Sequence, residues 1–163
     1  MKRAYFISGT DTGIGKTVVS TILAIGLRTS YWKPIQTGAK EGTDSDFVAR
    51  WIGIENVFKE SYIFAEPLSP HLAALNEKVE IKLDKCVQDF RRISGPLIIE
   101  GAGGVLVPLN STFTMADLAH KFDVPVIVVA STRLGSINHS LLSIEALSRR
   151  EVKNAVKRFQ MSS

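Results

Sequence analysis

The sequence predicts an α/β fold, a mostly parallel sheet with flanking helices. Three observations predict it. Short apolar runs alternate with segments of helical spacing along the chain. One run, Val124-Pro125-Val126-Ile127-Val128-Val129-Ala130, is apolar on both faces, the pattern of a central parallel strand. A Gly-rich turn separates the first apolar run from the first helical segment, where such a fold can hold an anion.

The first strand is expected over about residues 4–8, and the first helix from near Gly15 to near Arg28. Ser30-Tyr31-Trp32-Lys33-Pro34-Ile35 reads as a second short strand stopped by Pro34, with Gln36-Thr37-Gly38 as a polar turn. Residues 41–46 read as a loop. Either Asp44 or Ser45 could cap a helix carrying Phe47, Val48 and Trp51. Residues 54–70 read as irregular, punctuated by Pro67 and Pro70. Helical patches follow at about 70–76 and 83–93, where Leu83, Val87, Phe90 and Ile93 share one face. Pro96-Leu97-Ile98-Ile99-Glu100 is a compact strand ending in an acid, with Gly101-Ala102-Gly103-Gly104 directly after it. Residues 114–122 read as a helix. The last helix opens around Ser136 and is expected to reach about Phe159, with Val152, Ala155, Val156 and Phe159 on one stripe. No repeat, linker or low-complexity tract divides the chain, so one domain is expected over residues 1–163.

The bulk composition narrows the class of function. A chain of 163 residues can bury a substantial core. A net charge of +4 is mild, and outside the C-terminal stretch it is not gathered into one block. A small polyanion accounts for it, and no nucleic-acid partner is expected. Cys86, the one cysteine, excludes a disulfide within the chain and is expected to fill the core. The N-terminal apolar run is too short for a signal peptide, and no window reaches the length of a membrane span. A cytoplasmic protein without a membrane partner is expected.

The chemistry centres on Gly9-Thr10-Asp11-Thr12-Gly13-Ile14-Gly15-Lys16-Thr17. Backbone amides of such a turn and of the helix behind it point at phosphate oxygens. Lys16 would place an ammonium near the terminal phosphates, and the Thr17 hydroxyl would reach a magnesium ion. The spacing departs from the general pattern: five residues lie between Gly9 and Gly15, where four are usual. Ligands in parallel sheets bind at the carboxyl ends of strands. Lys33, Thr37, Asp46 and Glu100-Gly101-Ala102-Gly103-Gly104 all fall at such ends. Thr17, Asp46 and Glu100 suit the oxygen coordination of magnesium. Lys33 could stabilise charge on a transferring phosphoryl group.

These motifs, with Lys33-Pro34-Ile35-Gln36-Thr37-Gly38, residues 64–71 and Leu134-Gly135-Ser136-Ile137-Asn138-His139, resemble those of the dethiobiotin synthetases. The match runs in order from about residue 3 to 148, and the five-residue spacing is that family's variant loop. The resemblance implies a P-loop NTPase-like three-layer architecture. It implies ATP and Mg2+ as cofactors, with 7,8-diaminononanoate and CO2 or bicarbonate as substrates. The amine would become a carbamate, ATP would phosphorylate it, and the second amine would close a ureido ring. Lys33, Lys16 and Thr12 would be catalytic. Nucleotide contacts would come from Gly13, Ile14, Gly15, Lys16, Thr17, Val18, Asp46, Glu100, Gly101, Ala102 and Gly103. Thr37, Gly103, Gly104 and Asn138 would hold substrate, Asn138 across a homodimer interface. Thr17, Asp46 and Glu100 would carry the metal. Family members usually run some fifty or more residues further, with a strand whose Asn reads adenine. No such element is visible here, so a C-terminally short form is expected. A regulatory or partitioning ATPase of the variant-loop group and an inactive homologue are the alternative readings. The former usually has a lysine where this chain has Asp11.

Overall fold

Strand β1 (Ala4–Gly9) sits inside a five-stranded sheet in a computed structural model that describes residues 3–152. The other elements, in chain order, are α1 (Lys16–Leu27), β2 (Ser30–Trp32), β3 (Ile35–Gln36), α2 (Asp44–Ile52), β4 (Val57–Phe58), β5 (Tyr62–Ile63) and α3 (Pro70–Asn76). Then come α4 (Leu83–Arg92), β6 (Leu97–Gly104), α5 (Met115–Phe122), β7 (Val126–Val129) and α6 (Ser136–Ser148). The main sheet runs β4-β2-β6-β1-β7, every pair parallel. β3 and β5 form a second, two-stranded parallel sheet.

Side-chain alternation divides the strands between two cores. Phe6, Trp32, Leu97 and Ile99 enter the larger one, against Cys86 of α4, Leu118 and Phe122 of α5, and Leu147 of α6. Ile7, Tyr31 and Ile98 enter the smaller one, against Ala24 of α1 and Val48 of α2. Helices thus cover both faces, giving three layers. Each large side chain buried this way contributes about 1.5–3 kcal/mol. The larger core has an aromatic centre: Phe122 lies 4.9 Å from Phe90, 5.7 Å from Trp32 and 6.1 Å from Phe6, between ring centroids.

Several elements differ from the sequence-based expectation. The stretch from Ser30 to Ile35 is not one strand. It breaks at Lys33-Pro34, where proline has no N–H to give the ladder, and resumes as β3 in the other sheet. Gln36 belongs to β3 rather than to a turn. Within the supposedly irregular residues 54–70 lie β4 and β5, each two residues long. β6 continues past Glu100 through the glycines. Its register against β1 jumps from Ile7↔Glu100 to Gly9↔Gly104, so the extra β6 residues bulge, with Gly103 at φ 65°. β7 is a sheet edge rather than a central strand among the described residues. α6 ends at Ser148, not near Phe159, and the expected tail stripe at Ala155, Val156 and Phe159 lies outside the described residues. No helix among the described residues is long and apolar enough to cross a membrane.

Candidate active site

The Gly-rich loop leaves β1 and enters α1 with Gly13 and Gly15 in left-handed geometry, at φ 68° and 96°. Glycine is the residue that takes such angles without strain. Among the described residues no side chain caps α1 at Gly15, so its first amides are free to meet an anion. Beside this opening is a cavity of about 520 Å³. Thr12, Gly13, Gly15, Lys16, Thr17 and Val18 line one side; Lys33, Gln36, Thr37 and Asp44 line another. Glu100, Ala102 and Gly103 form the wall at the end of β6, and residues 67–70 close over the space.

The polar groups converge. Lys33 Nζ lies 3.0 Å from Glu100 Oε1 and 2.6 Å from Asp44 Oδ2. Thr17 Oγ1 is 2.9 Å from both Asp44 Oδ1 and Glu100 Oε1. One hydroxyl proton serves only one of these acceptors at a time. Lys16 Nζ donates to the Asp11 carbonyl at 2.9 Å. Lys33 and Glu100 are 4% and 1% exposed. Burial opposes the charge of Lys33, yet the Glu100 and Asp44 carboxylates outweigh it and raise its pKa. Lys16 moves the other way: burial, then the repulsion of Lys33, lowers its pKa. Burial works against ionised Asp44, but Lys33 and the Thr17 hydroxyl hold its carboxyl below the usual range. A buried ion pair is a poor source of stability. Such a cluster at the mouth of an anion-binding loop is better explained by chemistry.

The expected residues do not all gather here. Asp46 stands apart, exposed, its Oδ2 accepting from the Thr43 amide and hydroxyl in a capping box. Thr43, not Asp44 or Ser45, is the N-cap, and its Oγ1 accepts from the Asp46 amide. The acid that faces Thr17 and lines the cavity, where Asp46 was expected, is Asp44, two residues earlier. Gly101 turns from the cavity. A Cβ there would meet Phe6 at 2.9 Å and Met115 at 3.3 Å, so this glycine serves core packing. Ile14 packs towards Gly9 instead of lining the space. Gly104 lines a neighbouring cavity of about 500 Å³, with Thr10, Thr12 and His139. Asn138 is exposed on α6 and lines neither cavity.

Two residues were missed from sequence. Gln36 accepts from the Asp44 amide through Oε1 at 3.1 Å and donates to the Thr37 carbonyl at 2.6 Å, tying the start of α2 to the loop after β3. Asp44 was visible as a helix-start acid. The Thr-x-x-Asp box from Thr43 to Asp46 would have spoken for it, because it makes Asp44 the first helical residue.

Known proteins resemble this chain over most of its length. A family described as an AAA domain matches residues 3–157. The ATP-dependent dethiobiotin synthetase BioD of Brucella anthropi is 48% identical over 93% of this chain and 72% of its own length. The protein of the same name from Paramagnetospirillum magneticum is 46% identical over 92% and 72%. That from Sphingopyxis alaskensis is 49% identical over 91% and 71%. With a phosphate-type loop, a cluster of opposed charges and this degree of identity, the chain belongs to the dethiobiotin synthetase family.

Proposed function

We propose that the chain is an ATP-dependent dethiobiotin synthetase of biotin biosynthesis, closing the ureido ring on 7,8-diaminononanoate with CO2. The observation that carries this reading is the convergence of Lys16, Lys33, Thr17, Asp44 and Glu100 on one cavity beside the loop. The names of its relatives supply the product, dethiobiotin, and the family resemblance supplies the diamine and CO2. One amine adds to CO2 and loses a proton, giving a carbamate. A carbamate oxygen attacks the γ-phosphorus of ATP, the bond to the bridging oxygen breaks, and ADP leaves. The second amine attacks the carbonyl carbon of the carbamic–phosphoric anhydride. The ring closes, a proton is lost and phosphate departs.

Both reactants of the phosphoryl step are anions, so their approach needs fixed positive charge. The free amides at the start of α1 and the Lys16 ammonium would hold the β- and γ-phosphates. Lys33 would bridge the carbamate and the γ-phosphate, with Thr12 beside them, and Thr37 and Gly103 would border the diamine. Among the described residues no three His, Cys, Asp or Glu side chains form a metal cluster. Thr17, Asp44 and Glu100 nevertheless fit magnesium: three hard oxygens, each near another, leaving positions for phosphate oxygens and water. Two lysines and two carboxylates cancel, so the triphosphate's charge calls for this ion. When bound it would neutralise charge on the β- and γ-oxygens.

The exposed Ile137, Leu141 and Leu142 on α6, together with the resemblance, support a homodimer in which Asn138 reaches the substrate carboxylate across the interface. The test of the activity is incubation with diaminononanoate, bicarbonate and Mg-ATP. Dethiobiotin, ADP and phosphate are expected in equal amounts. ATP hydrolysis indifferent to the diamine would point to a switch protein and overturn the reading, as would no reaction at all.

A further inference from the structure

The two oxygens of Glu100 are held differently. Oε1 accepts from Lys33 Nζ at 3.0 Å and lies 2.9 Å from Thr17 Oγ1. Oε2 accepts from the Tyr31 hydroxyl at 3.0 Å. Both side chains are sealed, Tyr31 at 0% exposure and Glu100 at 1%. The pairing follows from register. Tyr31 lies opposite Ile98 across the β2–β6 ladder, and Glu100 is two residues further on the same face. The Tyr31 ring is clamped in the smaller core with Ile7, Ala24, Val48 and Ile98, so its hydroxyl is fixed in place. Tyr31 does not line the cavity, so it acts on the chemistry only through its neighbour.

We propose that Tyr31 is a positioning residue, whose hydroxyl fixes the rotation of the Glu100 carboxylate so that Oε1 faces Thr17, Asp44 and the divalent ion. This rests on the reading of Thr17, Asp44 and Glu100 as the ion's protein oxygens. The last torsion of a glutamate is broad and roughly two-fold, so a carboxylate turns easily unless something holds it. An outer oxygen buried without a donor also carries its full desolvation cost. Ligating carboxylates are commonly oriented by such a second hydrogen bond, and losing it weakens the hold on the metal.

Tyr31→Phe deletes one oxygen and keeps the ring. The readout without turnover is a Mn2+ titration of the enzyme bound to a non-hydrolysable ATP analogue, followed by loss of the free-ion electron paramagnetic resonance signal. Mn2+ affinity is expected to fall about tenfold, the lower end for loss of an outer partner. In turnover the Mg2+ half-saturation should rise similarly, with activity recovering at high Mg2+ and the KM for the diamine unchanged. In a Glu100→Gln background the same substitution should weaken Mn2+ no further, because the two residues act as one unit. Wild-type Mn2+ affinity and Mg2+ dependence in Tyr31→Phe would overturn the proposal, as would an equal loss in both backgrounds. If the wild-type complex binds no more Mn2+ than the analogue alone, the ion reading itself falls and the proposal with it. That result is distinct from a variant matching a wild type that does bind. Where Tyr31→Phe folds poorly, the double variant against Glu100→Gln alone decides, and any further loss overturns the proposal.

Discussion

At Lys33, burial and charge pull in opposite directions, and the charges win. Its ammonium remains protonated through the neutral range because two carboxylates lie within 3.0 Å. Lys33→Ala should lower turnover about a hundredfold or more, the scale of one lost transition-state contact, and should also cost stability, since it leaves Glu100 buried without its cation. Lys16→Ala should abolish measurable turnover; steady-state assays of dethiobiotin formation check both. The neighbouring acids separate cleanly. Asp46→Ala should cost about 1 kcal/mol of stability in denaturant unfolding, by loss of the cap, with turnover close to wild type. Asp44→Asn should remove turnover. The reverse pattern would restore Asp46 to the metal set. The Asp44 carboxyl titrates below its unfolded value, so its contribution to stability is present above the ordinary carboxylate range and is lost as pH falls through the lowered pKa. Asp44→Asn should accordingly lose less stability on acidification than the wild type does.

At the scale of the element, helix ends decide most of the site. α1 begins at a left-handed glycine and leaves its amides open, whereas α2 and α5 close theirs with capping boxes, Thr43 with Asp46 and Thr114 with Asp117. An open end accepts a ligand and a closed end positions a side chain. Asp44 is delivered to Lys33 because the cap starts α2 one residue before it. α4 shows the ordinary case. Its Cys86 faces the larger core, and burial pushes the thiol up to about 11. A thiol-reactive dye at pH 8 should leave it unlabelled in the native protein and label it in denaturant. Labelling of the native protein at the unfolded rate would show that α4 opens readily.

At the scale of the molecule, the alternation of strands and helices and the place of the loop were legible in the sequence, because both depend on local pattern. Strand order was not. β7 reads as central from its own residues, but centrality is set by neighbours, and only β1 pairs with it among the described residues. β4 and β5 are too short to show any period. Lys33, Thr17 and Glu100 were found because loop and strand ends mark them. Tyr31 was not, since an aromatic residue in a strand reads as core and its hydroxyl partner lies 69 residues away. Asp44 and Asp46 look alike in a line of text and differ only once a helix has a first residue. α6 leaves Ile137 and Leu141 exposed at helical spacing. Leu141→Glu should convert the proposed dimer to monomer in sedimentation velocity; a wild type that sediments as a monomer would refute the pairing.

The chain's two tryptophans have opposite surroundings: Trp32 is sealed against Phe90 and Phe122, and Trp51 on α2 is 63% exposed. Their emission should separate, blue for the first and red for the second, with iodide quenching only the latter. Trp51→Phe would then leave Trp32 as the one tryptophan, selectively excited at the red edge and one peptide bond from Lys33. Optical titration of that variant would follow events at the Lys33 ammonium with no label attached.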